Sequence, residues 1–396
     1  MDYISTRDAA AEWGIGERVV QRYCTRGRIP GAVKFSGVWQ IPRGSSKPAD
    51  PRKGTENPEE PPFVQCGLIS EAHPMISGMA DTVIQTIHDP AEKLQLLGEF
   101  AYLRGDFRES RKLLLKIDDI RFDMHRFSIL AADAVSMGDY ELLTRIEEYM
   151  LELISRYPQL DDRESPAWMH YYAISIALSL HERCPRWLKT GDFRSFPKSM
   201  HKFASYMHMK YLFNTLQYQK LTGFARGILL SIDKETDKYT LTDIYIYILA
   251  AMGFLAADDG ETARQLLETA IALALPDGFI TPFAEYKPYL FGLDDDIIKR
   301  EYPEQYDLAA EQWEVATRNW FIIHNEYVKS NVAAVLSIKE YQIAILLAAG
   351  NTYKDIALKQ RLSPEQVRKI VNSIYSKLMI RNKSQLRNYL LMDQNK

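Results

Sequence analysis

Arg368, Lys369 and Asn372 place a forked guanidinium, a point cation and a carboxamide within five residues. Those side chains match phosphate oxygens and the hydrogen-bonding edges of bases. A similar set, Arg18, Gln21 and Arg22 followed by Lys34, stands near the other end of the chain. Groups suited to bond making are sparse. There is no His-Glu-x-x-His, no paired-cysteine motif, no nucleophile-elbow serine and no G-x-x-x-x-G-K phosphate loop. His181 with Cys184, and His201 with His208, are the only close clusters of soft ligands, and both read as ordinary helix residues. The expectation is a binding protein that is not an enzyme, with no cofactor and no metal site.

Charge is distributed to suit that reading. The formal net charge is −3 over 396 residues, yet 337–396 holds 11 Lys or Arg against 4 acids and 1–53 holds 10 against 5. The ends therefore carry +7 and +5, which leaves −15 in the middle. Two basic ends around an acidic centre suit a chain whose ends meet a polyanion and whose middle avoids it.

The C-terminal elements that must position the first cluster are legible. Ser337 precedes Ile338, Tyr341, Ile345 and Leu346, spaced as one helical face, and Gly350 closes that helix. Thr352 caps a short helix with Ile356 and Ala357 inward, and Arg361-Leu362 makes a turn. Ser363-Pro364-Glu365-Gln366 is a capping box with proline at the first helical position. The next helix presents Val367, Ile370, Val371, Ile374, Tyr375 and Leu378 on one face. Glu365, Arg368, Lys369, Asn372 and Ser376 lie on another.

Residues Leu336 to Leu386, LSIKEYQIAILLAAGNTYKDIALKQRLSPEQVRKIVNSIYSKLMIRNKSQL, resemble the LuxR-type helix-turn-helix. The shared features are the leading leucine and serine, the Glu before an apolar helix, "AxG", "xxIA", "LSxxxV" and "IYxKLxIRNKxQ". The resemblance implies a bacterial transcription regulator in which the second helix of the motif enters the major groove. It places Lys354 and Gln366 at backbone contacts and Arg368 at the basic groove position. Arg381, Asn382 and Lys383 fall on the turn after the recognition helix. The final helix, Ser384 to Leu391, would pair two copies on a two-fold operator through Leu386, Tyr389 and Leu390, giving a homodimer on double-stranded DNA. Ile370 stands where that family commonly has histidine and Ser373 where it commonly has asparagine, departures that bear on base preference rather than fold.

At the N-terminus, Ser5-Thr6-Arg7-Asp8 reads as a capping box, Gly14-Ile15-Gly16 as a turn, and Glu17 to Thr25 as a second helix closed by Gly27. Val19, Val20 and Tyr23 face inward. Arg18, Gln21, Arg22 and Arg26 face outward, and Val33 to Ile41 alternates around Ser36-Gly37 as a hairpin. YISTRDAAAEWGIGERVVQRYCTRGRIPGAVKFSGVWQIP resembles the winged helix-turn-helix of the MerR and excisionase group. That resemblance turns Arg18, Gln21 and Arg22 to the major groove and assigns Lys34 and Trp39 to the wing. A basic module that docks on protein is the alternative.

The long middle is helical in period with a faint repeat. Leu97-Gly98, Ala101 and Gly105-Asp106-Phe107 align with Leu130-Ala131, Ala134 and Gly138-Asp139-Tyr140 at a tetratricopeptide-like offset, with weaker copies near Leu221 and near Ala250 to Ala270. The region resembles the helical sensor of MalT-like regulators, including DGFITPFAEYKPYL (Asp277 to Leu290), but without their nucleotide-binding part. The expected effector is a peptide or protein on a concave face formed by Ala250 to Ala270 and Phe279 to Leu290. Tyr171, Tyr172, Tyr245 and Tyr247 are read as packing.

The expected class is all-α with a small β wing. It comprises a winged helix-turn-helix over 1–42, a flexible linker rich in proline over 43–65, a tetratricopeptide-like solenoid over 66–335 and a four-helix LuxR-type domain over 336–396. Scattered Cys24, Cys66 and Cys184, and an apolar run at Ile244 to Ala257 too short to span a bilayer, point to a cytoplasmic protein. A helical-repeat scaffold whose terminal modules dock on protein is the competing function.

Overall fold

The structure, a computed structural model, describes residues 3–25, 28–35, 38–48, 68–194, 196–232, 238–290, 292–328, 336, 338–378 and 380–392. It is 72% helical with little sheet, which makes the class all-α. Among the described residues no helix is long and apolar enough to cross a membrane. Most of the expected linker, the Ser36-Gly37 turn, Arg26, Gly27, Cys66 and Ser337 lie outside the described residues.

The N-terminal unit comprises β1 (Tyr3–Ser5), α1 (Thr6–Trp13), α2 (Glu17–Thr25), β2 (Val33–Phe35) and β3 (Val38–Pro42). The Ser5 capping box forms, and Gly14 ends α1 in the left-handed conformation. Val20, Tyr23, Cys24 and Ile41 close a small core of its own. One strand escaped the sequence reading. β1 pairs with β3 to make a three-stranded sheet ordered β1-β3-β2, because three residues before a capping box carry too little alternation to register as a strand.

The middle begins with β4 (Met75–Ile76), α3 (Ala80–Thr86), α4 (Pro90–Leu103), α5 (Phe107–Leu114), α6 (Asp123–Met137) and α7 (Tyr140–Arg156). It continues through α8 (Pro166–Ala177), α9 (Arg186–Thr190), α10 (His201–Asn214), α11 (Tyr218–Ser231) and β5 (Lys238–Tyr239), which pairs with β4. It ends with α12 (Leu241–Ala256), α13 (Gly260–Ala274), α14 (Thr281–Leu290), α15 (Leu293–Glu301) and α16 (Pro303–Val328). Gly105, Gly138, Ser179, Leu216 and Asp258, which follow α4, α6, α8, α10 and α12, all have φ between 58° and 83°. A left-handed residue reverses the chain there, and in four of the five cases the next helix returns directly along its partner. Two glycines make the repeat visible in sequence; the other three turns hide it behind side chains that tolerate the conformation at some cost.

The start of α14 and the long helix α16 tie the ends of these helix pairs together. The last turns of α4, α6 and α8 leave carbonyls without helical partners. The Thr281 hydroxyl donates to Tyr102 O at 2.7 Å and the Asn319 amide to Ser136 O at 2.7 Å. The Trp320 indole donates to Ala177 O at 2.8 Å, and His324 Nδ1 lies 2.8 Å from Leu178 O. Gln312 and Asn319, two helical turns apart, occupy the space beside Gly105 and Gly138. A Cβ at Gly105 would coincide with the Gln312 amide, and one at Gly138 would stand 3.1 Å from Asn319 Oδ1.

The packing corrects one expectation. Ala250, Ala263, Leu267 and Ala270 are fully buried between α12 and α13, and Phe279, Ile280, Phe283 and Leu290 are buried as well. They cannot offer a concave docking face, since small and apolar residues at this spacing serve close helix packing. Tyr245 packs against the rings of Tyr206 and Tyr286.

Gly105→Ala should destabilise the chain by about 1–3 kcal/mol through left-handed strain plus displacement of Gln312. In thermal unfolding, the double variant with Gln312→Ala should recover part of that loss; no recovery would show that Gln312 is not what the missing Cβ makes room for.

Candidate nucleic-acid interface

The C-terminal unit has four helices, α17 (Ile338–Ala348), α18 (Tyr353–Lys359), α19 (Pro364–Lys377) and α20 (Lys383–Met392). Thr352 and Asp355 form a capping box at α18, whose hydrogen bonds hold the Asp355 carboxyl below its usual range. Arg361, at φ 52°, turns the chain so that Leu362 N–H reaches Ala357 O at 2.9 Å. Ser363 then starts α19: its Oγ accepts the Gln366 N–H at 3.1 Å and its own N–H donates to Gln366 Oε1 at 2.8 Å.

Val367, Val371 and Ile374 are fully buried against Ile343, Ile356 and Leu386, with Ile370 and Tyr375 partly covered. The opposite face, Glu365, Arg368, Lys369, Asn372 and Ser376, is exposed. Lys354 and Arg381 are exposed and Lys383 is half-buried at the start of α20. Gln366 is exposed too, but its Oε1 is engaged in the cap, so its carboxamide N–H groups are what it can offer a phosphate.

The cations of this unit divide into two groups. Lys359 pairs with Asp258 at 3.2 Å, Arg361 with Asp296 at 3.1 Å and Lys377 with Glu340 at 2.7 Å. Among the described residues no ion pair engages Lys354, Arg368, Lys369, Arg381 or Lys383. The first two pairs reach the middle of the chain, whereas the unengaged cations keep their full charge for a polyanion.

Glu340 is the residue the sequence reading passed over. It is buried at the N-terminal end of α17 and its two carboxylate oxygens accept from Ser373 Oγ at 2.7 Å and Lys377 Nζ at 2.7 Å. Ser373, noted in the sequence for standing where asparagine is usual, thus faces inward as half of this clamp. The signal was the Glu before an apolar helix, but its partners are 33 and 37 residues away and no local pattern links them.

The dimer stripe expected on α20 is altered. Leu386 is fully buried in the domain core, and the side chains of Tyr389 and Leu390 lie outside the described residues. At the N-terminus, Arg18, Gln21, Arg22 and Lys34 are all exposed, with Gln21 Nε2 3.5 Å from Glu17 Oε1 and Lys34 Nζ 5.8 Å from the centre of the Trp39 ring. Arg28 reaches Pro158 O at 3.3 Å. Among the described residues no group of His, Cys, Asp and Glu is arranged to hold a metal ion.

Two helices joined by a tight turn, the second capped, packed on one face and basic on the other, define a helix-turn-helix. Residues 334–390 match the family model of bacterial regulatory proteins, luxR family, so this C-terminal unit is a LuxR-family helix-turn-helix domain. No curated protein and no solved structure matches the chain.

Glu340→Gln should lower the unfolding free energy by about 1–2 kcal/mol, since Lys377 is partly solvated and only one charge is removed. Combined with Lys377→Met, the losses should be less than additive in thermal unfolding; strict additivity would show that the two side chains do not interact.

Proposed function

We propose that the chain is a transcription regulator that binds double-stranded DNA with α19 in the major groove. The observation that carries this reading is the LuxR-family domain, with an exposed recognition face whose cations form no ion pair among the described residues. Arg368, Lys369 and Asn372 read base edges or flanking phosphates, while Lys354, Gln366, Arg381 and Lys383 hold the backbone. The domain organisation is the one inferred from sequence, with the middle a tetratricopeptide-like solenoid that senses an effector. The protein works in the cytoplasm as a homodimer on DNA, with contacts between copies coming from surfaces other than the buried Leu386.

For the N-terminal module two readings remain distinct. Exposed Arg18, Gln21, Arg22 and Lys34 support a second DNA contact, joined through the 43–65 segment so that the two contacts add by effective concentration. Val33, Phe35 and Val38 form an exposed apolar wing, with Phe35 70% exposed, and that favours docking on protein.

Arg368→Ala or Lys369→Ala should weaken DNA binding by about 1–3 kcal/mol where the residue reads a base, with thermal unfolding unchanged. A residue on phosphate should instead reduce the slope of affinity against salt by about one. Fluorescence anisotropy on DNA recovered by genomic footprinting checks both, and wild-type affinity in both variants refutes the assignment. Deleting residues 1–60 should shorten the footprint if the wing meets DNA and leave it intact if it meets protein.

A further inference from the structure

The middle of the chain encloses a cavity of about 260 Å³. It lies near the lower end of the roughly 300–1,000 Å³ typical of small-molecule pockets and is too confined for a folded partner. Its wall is mostly apolar, including Leu103, Ile129, Val135, Ile174, Phe213 and Trp320. A cavity of this size and lining favours a compact ligand with an apolar body.

The polar lining includes Glu99, which accepts from Ser70 N–H and the Gln95 amide, and a separate group around Glu285 and Lys210. Glu285 takes a hydrogen bond from the Tyr102 hydroxyl, and the Tyr245 ring stands against those of Tyr206 and Tyr286 on the same wall. The Tyr206 and Tyr286 hydroxyls are 3.3 Å apart, and the Lys210 ammonium lies 5.9 Å and 5.0 Å from the centres of their rings. Among the described residues no carboxylate forms an ion pair with Lys210. Its charge rests on ring faces and on the field of Glu285. An ammonium in a largely apolar chamber has three donors and favours an anionic acceptor. Burial pushes the Glu285 carboxyl above the usual carboxylate range, which weakens its competition for Lys210.

The wall also crosses from one domain to the next. Tyr341 and Gln342, in the first turn of α17, line the same cavity. The residue before them is Glu340, which holds Ser373 and Lys377 of the recognition helix. One helical turn therefore touches the cavity on one side and α19 on the other.

We propose that this cavity is a binding site for a small monocarboxylic acid with a ring-sized apolar body, its carboxylate on Lys210 and its body against Tyr341 of the DNA-binding domain. Occupancy is thereby read by α17. This regulatory half rests on the DNA-binding reading above, whereas the binding half does not. A ligand that touches both domains changes DNA affinity by the factor with which DNA changes its own.

Calorimetry on the full chain with 3-phenylpropionate, 3-phenylpropionamide and 3-phenylpropylamine tests the site without DNA. The carboxylate should bind saturably and the amide and amine should not. Lys210→Met and Tyr341→Ala should each weaken it by about tenfold or more, with Lys210→Arg retaining most of the affinity and thermal unfolding confirming that each variant folds. No saturable binding of the carboxylate, preference for the amine, or wild-type affinity in both Lys210→Met and Tyr341→Ala overturns the site. In anisotropy, 3-phenylpropionate should shift the DNA affinity of the wild type about threefold or more and leave Lys210→Met unmoved. An unchanged affinity in the wild type overturns the coupling. Absence of DNA binding with or without ligand, beside intact calorimetry, falls on the proposed function alone.

Discussion

Helix ends are where a protein made of paired helices is most exposed to loss, because each leaves carbonyls that no residue of the same helix can satisfy. In this chain the ends of α4, α6 and α8 all turn toward α16 and α14, and Thr281, Asn319, Trp320 and His324 supply the missing partners. The 33-residue step between Gly105 and Gly138 is matched by a seven-residue step from Gln312 to Asn319. Seven residues of helix rise about 10 Å, the distance at which neighbouring helices pack. The register of one long helix thus records the spacing of the repeats beneath it. The cavity is a consequence of the same arrangement, since Trp320 of α16 and Glu285, Tyr286 and Tyr289 of α14 form part of its wall.

The C-terminal domain shows the same economy of polar groups in a smaller volume. Its apolar face alone would let α19 rotate or slide, as hydrophobic contact is not directional. Glu340 removes that freedom by accepting from two residues one turn apart on α19. The capping box at Ser363 sets the start of the same helix, so both its origin and its rotation are determined by hydrogen bonds. What remains is an outward face whose cations have no ion-pair partner among the described residues. Lys359 and Arg361, by contrast, are drawn to Asp258 and Asp296 of the acidic middle. An acidic centre that would repel DNA at long range therefore has a local use, holding the back of the DNA-binding domain while its front stays free.

What the sequence determined by itself is the local grammar. The Ser5, Thr352 and Ser363 capping boxes, the Gly14 and Gly350 stops, the all-α class and the inward and outward faces of α19 were all legible. Each depends on residues within about four positions of one another, the range over which a helix decides its own ends. The paired-helix turns were clearest where glycine marked them, at Gly105 and Gly138, and fainter where Leu216 and Asp258 adopt the same conformation. Tertiary structure alone decided the rest. It buried Ala250, Ala263, Leu267, Ala270 and Leu386, which the pattern offered as free surfaces, because an apolar stripe does not say whether its partner is the same chain or another. It joined Glu340 to Ser373 and Lys377, and Glu285 to Tyr102, across separations at which sequence spacing carries no geometric information.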